Sequence, residues 1–239
     1  MGLQPDPIPF SDDSAGVPAV RGFLHRPADP TGDALILTHG AGSNCQAPLL
    51  RNTATIFEQH GITVLRCDLP FRQARLHGPP IRTSQQDRAG LRNAAKAIRK
   101  MMSGRLFLGG HSYGGRQASM LAAEDESAAD GLLLLSYPLH PPQRPEQLRT
   151  AHLPKLTNPA LFIHGTRDPF GSPAEMESAL KLISAPTSLV MIEGAAHELG
   201  TNRGKQKGNQ EVAERVWQAF RTFFGFGGHA GSARQKSPG

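Results

Sequence analysis

The sequence predicts an α/β fold: a mostly parallel central sheet with helices on both faces. Three observations predict it. Short apolar runs alternate with helix-length amphipathic stretches along most of the 239 residues. The runs are continuous, without polar alternation, as in strands buried on both faces, which is the setting of a parallel sheet. The length suffices for one large core.

Taken in order, "AVRGFL" (19–24) reads as a first, edge strand and "ALILTHG" (34–40) as a buried strand ending at a glycine turn. "PLLRNTATIFEQHG" (48–61) is a helix, with Pro48 near its start and Gly61 closing it. "ITVLRCDLP" (62–70) is the next strand, and residues 69–84 read as a loop. The stretch 84–104 is a long amphipathic helix that carries Leu91, Ala94, Ala95, Ile98 and Met102 on one face. "RLFLGGH" is a strand, "YGGRQASMLAAE" a helix and "GLLLLSYP" a strand. "PALFIHGTRDP" is a strand and turn, followed by the helix "SPAEMESALKLIS", with Ser172 as N-cap and Pro173 in the first turn. "TSLVMIEG" is the last strand and "QEVAERVWQAFRTFFGF" the last helix. The expected organisation is a flexible segment over 1–16, one domain over 17–225 and a disordered tail over 226–239.

Open α/β sheets bind ligands at the carboxyl ends of their strands. At one such end "GGHSYGG" places Gly110-x-Ser112-x-Gly114 between a strand and a helix. This is the pattern of a nucleophile elbow, in which a serine projects from a tight turn and small neighbours let the backbone pass. A glycine turn or a helix cap would explain the serine alone. A hydroxyl nucleophile, however, needs a base, and the base needs a carboxylate. Asp168, just past a strand in "FIHGTRDPFG", and His197, in the turn after the last strand in "LVMIEGAAHEL", follow in the order Ser…Asp…His.

Other polar residues fit less well. His111 and His164 lie in or at the end of strands and read as packed or backbone-bonded imidazoles; His140 and His152 read as rim or surface residues. Asp68 precedes the serine and reads as structural or pocket-lining, and Glu198 as solvated. Arg72, Arg75 and Arg82 could make the rim attractive to an acidic substrate, but loop arginines are ordinarily just solvated. An oxyanion needs backbone donors: Tyr113 N–H follows the nucleophile, and "LTHGAGSN" (37–44) offers Ala41 N–H, with Gly42 as the alternative.

The pieces "THGAGSN", "GGHSYGGR", "HGTRDPFG" and "GAAHEL" resemble an α/β-hydrolase over about residues 17–225. The arrangement is similar to the compact dienelactone-hydrolase-like and small-esterase branches. "HGAGSN" and "SYGGRQASMLA" also resemble a small bacterial hydrolase group related to the hydrolase-fold subunit of a eukaryotic chromatin-acetylation complex. The resemblance implies Ser112 as nucleophile, His197 as base, Asp168 as acid, and Ala41 and Tyr113 as oxyanion-hole donors. Two departures qualify it. Dienelactone hydrolases proper use cysteine where this chain has serine, and the two dozen residues of "SYPLHPPQRPEQLRTAHLPKLTNPA" are too few for a cap domain.

The expected activity is hydrolysis of a small or exposed carboxylic ester, with no cofactor or metal. A non-catalytic scaffold on the same fold, or an acyltransferase with the same triad, fits the same residues. The net charge of +6 is concentrated in loop and tail segments, with no nucleic-acid module signature. Two cysteines without CxxC spacing and an acidic, proline-broken N-terminus point to a reduced, cytoplasmic compartment. No apolar run approaches the roughly 20 residues that cross a bilayer.

Overall fold

The computed structural model describes residues 6–80, 84–200 and 205–226. Eight strands form one sheet: β1 (Ile8–Asp12), β2 (Val20–His25), β3 (Ala34–Thr38), β4 (Thr63–Cys67), β5 (Leu106–His111), β6 (Gly131–Leu135), β7 (Ala160–Gly165) and β8 (Thr187–Ile192), in the order β1-β2-β4-β3-β5-β6-β7-β8. β1, β2 and β4 pair antiparallel, and every pairing from β4 through β3 to β8 is parallel. The helices are α1 (Pro48–Gln59), α2 (Pro70–Ala74), α3 (Ser84–Arg99), α4 (Tyr113–Glu124), α5 (Pro173–Leu180) and α6 (Lys205–Phe223).

Period-two alternation sends each central strand's side chains into two cores. Ile36, Leu108, Leu134 and Phe162 face α3, α4 and α5, where Leu91, Ile98, Leu121 and Met176 meet them. Leu35, Leu37, Phe107, Leu133 and Ile163 face α1 and α6, against Leu50, Phe57, Trp217 and Phe220. Both faces are therefore covered, and β3, β5, β6 and β7 are buried along their whole length. Ser172 caps α5 through a capping box with Glu175. Between β6 and β7 the chain makes only a short helical turn at Leu153–Lys155, so no large cap domain covers the carboxyl end of the sheet.

Three expectations are corrected at the margins. The segment 1–16 is not a loose lead-in throughout, because Ile8–Asp12 pairs with β2; β1, not β2, is thus the edge strand. Within the expected loop 69–84, residues Pro70–Ala74 form α2. At the other end, Phe226 stacks on Phe220, with ring centroids 5.3 Å apart, so packing continues one residue past 225. The rest of the expected tail lies outside the described residues.

Candidate active site

Parallel pairing aligns the carboxyl ends of the central strands: Thr38 lies opposite both Cys67 and Gly110, and Gly110 opposite Leu134. The loops leaving these ends meet at one cleft.

Ser112 follows β5 immediately and precedes the first residue of α4, with φ 52° and ψ −117°. A non-glycine residue at positive φ carries strain, held here because Ser112 N–H donates to Leu135 O at 2.8 Å and Ser112 O accepts from Arg116 N–H at 3.0 Å. The turn needs small neighbours. A Cβ at Gly110 would come within 2.5 Å of Thr38 O, and one at Gly114 within 2.7 Å of His39 O. The glycines therefore let α4 start directly against the β3 backbone, which leaves the serine hydroxyl at the turn's apex.

The structure brings the three side chains of the expected triad together. Ser112 Oγ lies 2.7 Å from His197 Nε2, and His197 Nδ1 lies 2.8 Å from Asp168 Oδ2 and 3.0 Å from Oδ1. Asp168 also accepts from Phe170 N–H at 2.9 Å, and its side chain is fully buried, whereas His197 keeps 16% of its side-chain surface. The carboxylate accepts from Nδ1–H and so fixes that tautomer of the imidazole, leaving Nε2 to accept from the serine.

The other histidines support this line. His111 Nε2 lies 2.8 Å from His197 O and donates to it; burial pushes the His111 pKa down, so the ring stays neutral. His164 Nε2 donates to Gly171 O at 2.8 Å, bracing the Asp168 loop. Both agree with the backbone-bonded reading. His140 is a correction: it is buried, and its N–H donates to Phe170 O at 3.0 Å. His152 is half-buried, with Nε2 2.8 Å from Ser119 Oγ. Asp68 accepts from Cys45 N–H at 2.7 Å, a loop-bracing contact, and Glu198 is exposed at the mouth of the cleft.

Two contributors escaped the sequence reading. Phe170 lies over the His197 ring, with centroids 4.1 Å apart and planes at 30°, and limits the swing of the imidazole. Arg72, expected to be solvated, is only 4% exposed. Its guanidinium donates to Ser43 O at 2.7 Å, Ala41 O at 2.8 Å, Gly78 O at 3.0 Å and Arg75 O at 3.1 Å. No local pattern distinguishes such an arginine from its solvated neighbours; only the tertiary fold does.

These contacts orient the turn after β3. His39 takes an N–H from Leu69 on Nε2 at 3.2 Å, so Nδ1 carries the proton and donates to Gly40 O at 2.8 Å. Ser43 N–H also donates to Gly40 O, at 3.0 Å. In a trans peptide the N–H points away from the C=O. Tying down Gly40 O and Ala41 O therefore sets the directions of Ala41 N–H and Gly42 N–H. Ala41, Ser112, Tyr113 and His197 all line a cleft of about 690 Å³. The Tyr113 side chain is anchored by its hydroxyl, which donates to Asp87 at 2.7 Å.

Among the described residues no group of three or more His, Cys, Asp or Glu side chains is placed to hold a metal ion. No helix among them is long and apolar enough to cross a membrane.

Solved structures share this architecture. The chain is similar to a dienelactone hydrolase from Anabaena variabilis, with 23% identity, a TM-score of 0.71, and coverage of 92% of this chain and 99% of that one. It is similar to XC6422 from Xanthomonas campestris, described as an α/β serine hydrolase without lid, at 17% identity and TM-score 0.68, covering 93% and 97%. Est1E from Butyrivibrio proteoclasticus matches at 16% identity and TM-score 0.69, covering 91% and 99%. At these identities the likeness establishes the fold. The sequence itself matches a family model, described as an alpha/beta hydrolase domain, over residues 31–225, and the chain belongs to that family.

Proposed function

We propose that this chain is a serine hydrolase acting on small or exposed carboxylic esters through Ser112, His197 and Asp168. The observation that carries the reading is the unbroken hydrogen-bond chain from Ser112 Oγ through His197 to Asp168, at 2.7 and 2.8 Å, on the wall of an uncapped cleft.

In this reading Ser112 Oγ attacks the ester carbonyl carbon and its proton passes to His197 Nε2. Asp168 holds the ring in its Nδ1–H tautomer and stabilises the imidazolium as it forms. The amides of Ala41 and Tyr113 donate to the tetrahedral oxyanion, and the Gly42 amide is the alternative to Ala41. Collapse breaks the C–O bond to the leaving alkoxide, which takes the proton from His197 Nε2. Water then attacks the acyl-serine, losing a proton to His197, and the second collapse returns that proton to Ser112 Oγ. The absence of a large cap favours small acyl groups, or esters on larger, exposed molecules, over long chains buried under a lid. The catalytic domain is taken to run over 17–225, with β1 added to its sheet.

The test is hydrolysis of 4-nitrophenyl acetate and butyrate by the wild type, Ser112→Ala and His197→Ala. Removing either residue lowers kcat by about 10⁴-fold or more if the triad acts as a unit. Equal rates in wild type and Ser112→Ala would leave the serine without a catalytic role.

A further inference from the structure

Two guanidiniums in the cleft wall have no ion-pair partner among the described residues. Arg116 lies one helical turn beyond Ser112, and helical side chains lean toward the N-terminus, so it sits on the Ser112 side of α4. Arg149 comes from the connection between β6 and β7, and its backbone is pinned: its N–H donates to Leu139 O at 2.8 Å and its carbonyl accepts from Tyr137 Oη at 2.7 Å. Both arginines line the cleft together with Ser112 and His197.

Every Asp and Glu of the chain lies among the described residues, yet none forms an ion pair with Arg116 or Arg149. Neighbouring arginines on α3 do find acids: Arg88 and Arg92 pair with Glu124, and Arg99 with Asp130. The Arg116 guanidinium has the neutral Tyr137 hydroxyl beside it and its Nε is buried without a hydrogen-bond partner, and among the described residues the Arg149 guanidinium donates a single long bond, 3.3 Å, to Pro138 O. The two charges also act on their surroundings. The Arg149 pKa is lowered by burial and then by Arg116, and His152 is brought down to about 4 by burial and then by Arg116 and Arg88. Like charges in a partly desolvated wall are unfavourable when the site is empty, and a bound anion relieves that cost. Glu198 is the carboxylate at the cleft mouth, and it is exposed.

We propose that Arg116 and Arg149 form an anion subsite beside Ser112, which holds a carboxylate of the substrate while the ester carbonyl meets the nucleophile. The guanidinium fork matches a carboxylate in two hydrogen bonds, which a lysine cannot do. Arg116 and Ser112 are four residues apart in the chain and line one cleft, so carboxylate and ester are joined by a short chain. The substrate class is therefore a small ester bearing a free carboxylate, on either its acyl or its alcohol side. The inference rests on the serine-hydrolase reading above and narrows it.

The test compares charged and neutral esters of matched shape. On the acyl side the pair is mono(4-nitrophenyl) glutarate and 4-nitrophenyl 5-methylhexanoate. On the alcohol side it is 3-acetoxybenzoate and 3-isopropylphenyl acetate. Each kcat/KM is divided by the ester's rate with hydroxide, and the readout is the charged-to-neutral ratio. In the wild type the ratio for one pair is about tenfold or more, as expected for a charge-assisted hydrogen-bonded pair. The pair that shows it tells which side of the ester carries the anion. In the Arg116→Gln/Arg149→Gln double variant the ratio falls toward one whichever way the absolute rates move, and Arg149→Lys keeps part of it.

A wild-type ratio at or below one in both pairs, or one unchanged in the double variant, overturns the subsite and leaves the hydrolase reading standing. If no ester is turned over, calorimetric titration with glutarate decides. Binding that the double variant loses keeps the anion site and sinks the hydrolase reading, and no binding to the wild type ends both.

Discussion

Replacing Arg72 with alanine is expected to disable catalysis more than substrate binding. The side chain makes four hydrogen bonds to backbone carbonyls, between 2.7 and 3.1 Å, two of them to Ala41 and Ser43 in the turn proposed to hold the oxyanion. A charged donor of this kind contributes roughly 1.5–3 kcal/mol per bond when no water replaces it. The cleft is open, so water takes over part of the loss, and a stability decrease of about 2–4 kcal/mol follows. The rate effect arises separately. Losing one oxyanion donor outright costs about 10²- to 10³-fold in kcat. A turn that is unpinned but still visits the productive orientation loses less, so kcat should fall about 10- to 100-fold, with KM changed by no more than about threefold. Arg72→Lys, a point charge that satisfies one or two carbonyls at most, should fall between the two. Steady-state kinetics on 4-nitrophenyl acetate, paired with thermal unfolding, separates the effects. If Arg72→Ala melts earlier yet keeps kcat within about twofold of wild type, pinned carbonyls do not set the oxyanion donors, and the reasoning about the turn is wrong.

Two further predictions concern the scaffold around the site. In Gly114→Ala the new Cβ meets Thr38 C and His39 O, both at 2.7 Å, and the contact is with backbone at the end of β3 that cannot swing aside, so the variant should lose about 1–3 kcal/mol of stability and displace Ser112. Gly42→Ala, whose Cβ meets nothing within 4 Å, serves as the control in the same denaturant titration, which should leave it near wild type. A Gly114→Ala variant as stable as the control would contradict the close approach of α4 to β3. For His152, burial and the charges of Arg116 and Arg88 lower the folded-state pKa from 6.5 to about 4. The unfolded chain thus binds a proton that the folded chain refuses between these values. Its contribution is fully present above pH 6.5 and is lost as pH falls through the folded pKa, by at most about 3 kcal/mol. His152→Gln, which still reaches Ser119 with an amide, should flatten this acid limb, and an imidazole titrating near 6.5 in the folded protein by NMR would refute the assignment.

The central sheet was legible because its strands are buried on both faces: "ALILT", "LFLGGH" and "GLLLL" are apolar apart from Thr38 and His111 at their carboxyl ends, so no polar alternation interrupts them. The order of Ser112, Asp168 and His197 was legible for a related reason, since each follows a strand directly or within a few residues, one buried throughout for Ser112 and Asp168 and a half-buried one for His197. What escaped is short or context-bound. β1 is five residues with Pro9 inside it, tolerated only because it pairs on one side. α2 is one turn started by Pro70, too brief for a helical period to show. Arg72 and Phe170 act through loops that meet only in three dimensions, and an arginine written between Phe71 and Gln73 looks the same whether it is solvated or holds four carbonyls.

An activated Ser112 is the claim on which the rest depends, and covalent labelling tests it most directly. The wild type and Ser112→Ala are incubated with a fluorophosphonate, followed by intact-mass measurement and peptide mapping. The account predicts a single adduct on the wild type, mapped to Ser112, slowed strongly in His197→Ala and absent from Ser112→Ala. A folded wild type that takes up no probe, or carries it on another residue, would contradict a serine activated by His197 and Asp168.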